Sequence, residues 1–350
     1  MRDVAIVSCV QTKHERKVDG RNEIEMMMPV IRGAYEGIGL AKEDIGFVCS
    51  GSTDFLAGQA FSFVTTLDAF GPWPPITESH VEMDGAWALY EAWVKLQMGE
   101  IDTALVYSYG KSSPGPLRDV LALQQDPYYM TPLGTDSVSL AALQARALLD
   151  SGKATPEQLA DIATRNRRSG ASNPYAHQTY GPDESADVAE DHLVSPLHRF
   201  DCPPITDGGV AVVIAAEDKA RELSERPAWI RGIDHRIDTH QLGARDLTVS
   251  DSTRIAGEAI GVGDVDIAEL HAPFTSQEVI VAEALGLGDS VSINPSGGPL
   301  SANPLMAAGL LRLGEAATRL SNGDGKRAVA TATSGACLQQ NLVAVLEVED

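Results

Sequence analysis

The sequence predicts a layered α/β fold in which one strand–helix unit is used twice. Three observations predict it. Short apolar runs alternate with segments of helical spacing along the chain, the pattern of strands joined through helices. Two stretches then repeat one plan. Asp44-Ile-Gly-Phe-Val-Cys-Ser-Gly51 resembles Asp266-Ile-Ala-Glu-Leu-His-Ala-Pro273, and Glu82-Met-Asp-Gly-Ala-Trp-Ala-Leu89 resembles Ala302-Asn-Pro-Leu-Met-Ala-Ala-Gly309. Each is followed by an acidic or glycine-rich turn and an apolar strand, residues 103–110 and 328–335. Finally, 350 residues exceed one ordinary domain and suit a duplicated domain with an insertion.

The elements follow in order. Residues 4–10 are a short apolar run, as expected of a strand covered on both faces. Residues 23–40 place Ile24, Met27, Met28, Ile31, Ala34, Tyr35 and Ile38 at helical spacing and stop around Gly37 and Gly39. Residues 44–50 form the next strand, and 52–75 dissolve into Phe, Thr, Gly and Pro, a loop or irregular helix. Residues 82–97 read as a helix with one broad apolar side, and 103–109 as a strand. Residues 111–199 differ in character: few strand-like runs, helical patterns at 137–149 and 156–168, and polar turns. They read as an insertion, a lid or substrate-binding subdomain.

The chain then returns through a glycine-rich turn into a buried strand at 207–215, a short helix at 218–223, a strand at 227–233 and a helix at 254–260. A further strand ends in His271. The turn Ser296-Gly297-Gly298 leads into a long apolar helix beginning near Asn303, and a strand at 342–348 closes the chain. The predicted domains are a first half of residues 1–110 plus 200–235, an insertion of 111–199, and a second half of 236–350. The helices from Glu82 and Asn303, apolar on most faces, are expected to pack on each other where the halves meet.

Composition narrows the function. A formal charge of −22 opposes a general nucleic-acid or anionic-membrane surface. Arg165-Asn-Arg-Arg168 is the best candidate for a basic patch suited to a phosphorylated ligand, and equally a solvated helix end. Cys9, Cys49, Cys202 and Cys337 lack metal-ligand spacing and read as free thiols. No zinc, P-loop or dinucleotide pattern is present, so no metal and no nucleotide cofactor is expected. No apolar run reaches transmembrane length and the chain opens directly on a strand, which gives the expectation of a cytoplasmic protein without membrane insertion.

Several ordered motifs resemble the thiolase superfamily, and among its branches the sterol-carrier-protein-type thiolases. They are the first strand, residues 4–12; Leu159-Ala-Asp-Ile-Ala-Thr-Arg-Asn-Arg-Arg168 with Asn173-Pro174; Pro203 to Ile214; His271-Ala-Pro-Phe274 as an H-x-x-F motif; and Asn294-Pro-Ser-Gly-Gly298. The resemblance implies a duplicated five-layered αβαβα fold with an inserted loop domain, a coenzyme A thioester as substrate, no separate cofactor, and at least a dimer.

The departures bear on chemistry. The family's nucleophilic cysteine, in a C-x-x-G setting, falls on Glu82. Its G-H-P histidine falls on Asn303, and its second cysteine on Thr333. Of the four catalytic positions only His271 is kept. A carboxylate does not readily form and release a thioester, so ordinary thiolysis is not expected. The chain resembles in this the actinobacterial thiolase-like lipid-transfer proteins and steroid side-chain aldolases that lack the cysteines and work with a partner containing an OB-fold and a zinc ribbon. That resemblance implies retro-aldol cleavage of a β-hydroxyacyl-CoA, on a branched or steroid side chain, in a complex with a second thiolase-like chain or such a partner. The alternatives are a non-catalytic acyl-CoA-binding or lipid-transfer subunit, and a thiolase using Cys337 as a relocated nucleophile.

The candidate catalytic residues are His271, Glu82, Asn303 and Thr333; Phe274, Gly297, Gly298 and Asp84 are the candidate substrate-binding residues. His271 reads as a neutral donor to a thioester oxygen or as a buried packing histidine. Glu82 reads as a base, or as a carboxylate at a helix N-terminus. Asn303 reads as a helix cap or as an amide donor to substrate.

Overall fold

A computed structural model describes residues 2–349. The first half contains β1 (Val4–Gln11), α1 (Glu23–Glu36), β2 (Phe47–Gly51), β3 (Glu78–Val81), α2 (Gly85–Met98) and β4 (Thr103–Gly110). The insertion carries α3 (Ser137–Asp150), α4 (Pro156–Gly170) and a small hairpin, β5 (His192–Val194) and β6 (Leu197–His198). The chain continues through β7 (Gly208–Ala216), β8 (Ala228–Ile237), α5 (Asp251–Ile260), β9 (Ile267–Glu269), α6 (Thr275–Ala284) and β10 (Ser292–Ile293). It ends with α7 (Ala308–Asn322), β11 (Arg327–Ser334) and β12 (Gln340–Glu347).

The duplication is visible in the strand order, β10-β9-β11-β12-β8-β1-β7-β4-β2-β3. Read outward from the centre, each half runs in the same sequence: β1, β7, β4, β2, β3 and β8, β12, β11, β9, β10. The inner pairs are antiparallel and the outer ones parallel in both. The halves join along β1 and β8 over two residue pairs, Ala5 with Trp229 and Ile6 with Ala228. β8 pairs along its length with β12. Residues 228–235, placed with the first half on sequence, therefore belong with the second half's strands.

Alternation along the strands builds the layers, because successive side chains point to opposite faces. In β7, Val210, Val212 and Ile214 face a central core, while Ala211, Val213 and Ala215 face an outer core that contains Met26, Met27 and Ile31 of α1. In β12, Leu342, Ala344 and Leu346 face the same central core, and Val343 and Val345 an outer one shared with α5 and α6. The central core is filled from α2 and α7, whose Ala86, Ala88, Ala92, Ala316 and Ala317 let two helices fit between sheet halves. The result is the layering α1, sheet, α2 with α7, sheet, α5 with α6.

The insertion packs over the second half. Leu148 and Leu159 enter the α5–α6 core, and the Arg165 and Asn166 side chains donate to Glu278 of α6. This uses up the basic run: Arg167 is buried under Tyr180 and donates to the Cys202 carbonyl at 3.3 Å, and Arg168 donates to the Glu184 carbonyl at 3.0 Å. Internal contacts replace the phosphate site allowed by the sequence. Among the described residues no helix is long and apolar enough to cross a membrane.

Candidate active site

The two central helices meet at their N-termini, as their apolar faces predict. The pivot is Asp84, the N-cap of α2. One Asp84 oxygen accepts from Ala86 N–H at 2.9 Å and Leu310 N–H at 3.0 Å, and the other from Gly309 N–H at 2.8 Å. A single carboxylate thus closes the first turns of both helices. The approach requires Gly85 and Gly309. A Cβ on Gly85 would lie 2.5 Å from the Ser108 Cβ, and one on Gly309 would lie 2.4 Å from the Ala332 Cβ. Burial pushes the Asp84 carboxyl up to about 6, against the three N–H donors that favour its charged form. Asp84 is consumed by this junction, which corrects its assignment to substrate binding.

Both helices begin later than the sequence suggests. Glu82 lies between β3 and α2, so it is not a helix-start carboxylate. Its side chain is half exposed; one oxygen accepts from Asp54 N–H at 2.6 Å and the other meets His80 Nε2 at 3.2 Å. The His80 ring stacks on Phe63 and its Nδ1 contacts Ser50 Oγ at 3.0 Å. Asn303 lies in an extended link between a one-turn helix, Gly298–Ser301, and α7, so it caps neither. Its backbone is held by Thr206, whose Oγ1 accepts the Asn303 N–H at 3.2 Å.

His271, Asn303 and Thr333 do come together. His271 lies two residues beyond β9 and is buried. Its Nδ1 accepts the Thr333 N–H at 3.1 Å, and its own N–H donates to Thr331 Oγ1 at 3.0 Å. A ring that accepts at Nδ1 carries its single proton on Nε2 when neutral. Burial, reinforced by the Arg312 guanidinium, holds the imidazole down to about 3, so it is neutral at physiological pH. The Asn303 side chain lies beside the ring, and its buried Oδ1 has no hydrogen-bond partner of good geometry. The site therefore presents a fixed N–H donor next to an unsatisfied amide. Thr333 contributes its backbone; its hydroxyl donates to the Gln340 carbonyl at 3.3 Å.

The remaining candidates belong to packing. Phe274 fills a core with Ala141, Ala145 and Leu197 beneath the insertion. Gly297 sits against Gly170 of α4, where a Cβ would come within 2.7 Å of the Gly170 Cα, and a Cβ on Gly298 would strike the Asn294 side chain. Phe274 and Gly297 bring the insertion onto the second half, while Gly298 packs against Asn294 within the second half. Cys337 is buried, its Sγ directed at the Leu140 carbonyl at 3.3 Å, and burial pushes its thiol up to about 11. That is an inert thiol rather than a nucleophile.

One group escaped the sequence reading. Arg312, inside the apolar run of α7, pairs with Glu269 at 2.8 Å and donates to Ser296 Oγ at 2.6 Å, all buried. The available signal is an arginine within the apolar run Gly309-Leu-Leu-Arg-Leu-Gly314, since a buried guanidinium requires a buried carboxylate. It places a positive charge behind His271.

No family model matches the chain. An acetyl-CoA acetyltransferase of Methanothermobacter thermautotrophicus is 27% identical to it over 96% of this chain and 95% of its own. Sterol carrier protein 2 of Gallus gallus is 26% identical over 74% of this chain and 54% of its own, so the match spans about half of that protein. Among solved structures, the Ltp2-ChsH2(DUF35) aldolase superposes with a TM-score of 0.81 at 21% identity, covering 99% of this chain and 98% of that one. Fold and site together define a thiolase-like protein. The chain has a thiolase-like fold and is similar in sequence to thiolases and to sterol carrier protein 2.

Proposed function

We propose that this chain binds an acyl-CoA thioester and cleaves a β-hydroxyacyl-CoA by a retro-aldol reaction, with a branched or steroid side chain as the leaving portion. The observation that carries this reading is the neutral His271, whose proton is fixed on Nε2 beside Asn303 at a site where no usable thiol stands. Such a donor stabilises a developing oxyanion without transferring an acyl group. In the reaction, Glu82 takes the β-hydroxyl proton directly or through water. The O–H electron pair forms the new carbonyl as the Cα–Cβ bond breaks. That bond's pair moves onto the thioester as an enolate, whose oxygen His271 Nε2–H and the Asn303 amide hold until Cα takes a proton from water. The products are a shortened acyl-CoA and an aldehyde or ketone. No cofactor is required besides the coenzyme A carried by the substrate.

The likeness to the Ltp2-ChsH2(DUF35) aldolase supports a partner subunit for this chain as well. The test is cleavage of a branched 3-hydroxyacyl-CoA by the chain reconstituted with its co-expressed partner. Loss of one oxyanion donor costs about 10²–10³ in turnover with little change in substrate binding. His271→Ala is therefore expected to lower kcat by that factor with KM nearly unchanged, and Glu82→Gln to lower kcat as well. Wild-type rates in both variants would instead make the chain an acyl-CoA-binding scaffold for a catalytic partner.

A further inference from the structure

Between the ends of β2 and β4 and the turn after Asn303 lies a small cavity with room for about one water-sized group. Three of its lining side chains, Ser52, Thr53 and Ser112, are buried, and none of their hydroxyls has a hydrogen-bond partner. Native interiors rarely leave buried polar atoms unpaired, and three around one cavity call for an occupant. The other polar side chains there are already engaged. Lys111 Nζ donates to the Val18 carbonyl at 2.7 Å, and the Tyr109 hydroxyl bonds to Thr66 Oγ1 at 3.0 Å.

The cavity's position is set by the catalytic groups. Its far wall is Leu305 and Met306, two and three residues beyond Asn303. Met306 adopts φ 71°, a left-handed conformation unfavourable for a side-chain-bearing residue. It is held there because its carbonyl accepts the Gly85 N–H at 2.8 Å and the Ser108 hydroxyl. On the near side, Ser52 N–H donates to the Val81 carbonyl at 3.3 Å, and the Glu82 carboxylate is tied to Asp54, the residue after Thr53. The cavity thus lies between the segment that carries the oxyanion donor Asn303 and the segment that holds Glu82. In a retro-aldol substrate the group between enolate and base is the β-oxygen.

We infer that Ser52, Thr53 and Ser112 form the subsite that binds the β-oxygen of the acyl chain. The inference rests on the acyl-CoA reading above. Each hydroxyl can donate or accept. The set can therefore donate to the lone pairs of the β-oxygen while that oxygen's own proton is directed to Glu82, and go on donating to it once it has become the carbonyl of the departing product. The three act as binding and positioning groups, and the cavity's size admits an oxygen rather than an alkyl branch.

The experiment measures calorimetric binding of acetoacetyl-CoA and butyryl-CoA, which share chain length and differ in the β-oxygen, to the full chain. Wild type is expected to bind acetoacetyl-CoA about tenfold or more tightly than butyryl-CoA, the ordinary consequence of a site built to hydrogen-bond one group. Ser52→Ala/Thr53→Val/Ser112→Ala should bind both at the butyryl-CoA level, and Thr53→Val alone should lose part of the preference. Thr53→Val should also melt no lower than wild type without ligand, because it removes an unpaired buried hydroxyl. A wild-type ratio near one, or a preference undiminished in the variants, overturns the subsite while leaving the acyl-CoA reading standing. A lower unliganded Tm in Thr53→Val with an unchanged ratio also overturns it, assigning the hydroxyls to a structural water. Failure of both thioesters to bind wild type overturns the subsite together with the acyl-CoA reading.

Discussion

Replacing Asp84 with Asn tests the junction on which the site is built. The carboxylate accepts three backbone N–H groups from the starts of two helices, two on one oxygen and one on the other. An amide keeps one acceptor oxygen and turns its NH₂ toward the remaining N–H. At least one of the three bonds is then lost, worth about 0.5–1.5 kcal/mol, and a buried donor is left unpaired at about 1–3 kcal/mol. Some relaxation is available, so the expected loss is about 2–4 kcal/mol, a large part of the roughly 5–15 kcal/mol of an ordinary domain.

The pH dependence follows from the raised carboxyl. Its folded-state value, about 6, lies above the ordinary 3.8, so the folded protein holds the proton more tightly than the unfolded chain. The contribution to stability is fully present below 3.8 and is lost as pH rises through 6. A displacement of that size corresponds to about 3 kcal/mol. Urea unfolding of wild type and Asp84→Asn from pH 4 to 8 reads both effects. The wild-type advantage should be larger at pH 4 than at pH 8 by about that amount. A variant within about 0.5 kcal/mol of wild type at every pH, with a raised KM for acyl-CoA, would refute the junction and return Asp84 to substrate binding.

Two further perturbations probe the surroundings. Glu269→Gln strands Arg312 beneath His271, and breaking a buried pair from one side costs about 3–5 kcal/mol. Chemical denaturation should show that loss, and Glu269→Gln/Arg312→Met should recover part of it. Cys337, with its thiol pushed up to about 11 by burial, should resist iodoacetamide at pH 7.5 in the folded protein and react once unfolded. Mass spectrometry of the alkylated chain decides this, and rapid labelling of Cys337 in the native state would restore it as a candidate nucleophile.

The strand–helix alternation and the repeat between residues 44–110 and 266–335 carried the duplicated fold, because burial on both faces of a strand and one face of a helix imposes periods that any sequence must display. The same logic made the contact between α2 and α7 legible: helices apolar on most faces must sit inside a layer. Helix starts were less legible, since Glu82 and Asn303 have the composition of caps, whereas the cap used is Asp84, chosen by what two converging helix ends present to it. His271 was found from its motif. Its charge state was not, because neutrality depends on burial and on Arg312, forty-one positions away in the sequence (312 − 271). Phe274 and Gly297 stand in the motifs and pack the insertion against the second half, a contact that only the neighbouring helix reveals, whereas Gly298 packs on Asn294 of its own turn. Ser52, Thr53 and Ser112 carry no sequence signal, since hydroxyls at strand ends are common. What distinguishes these three is the lack of a partner, and that is decided by the surrounding chain.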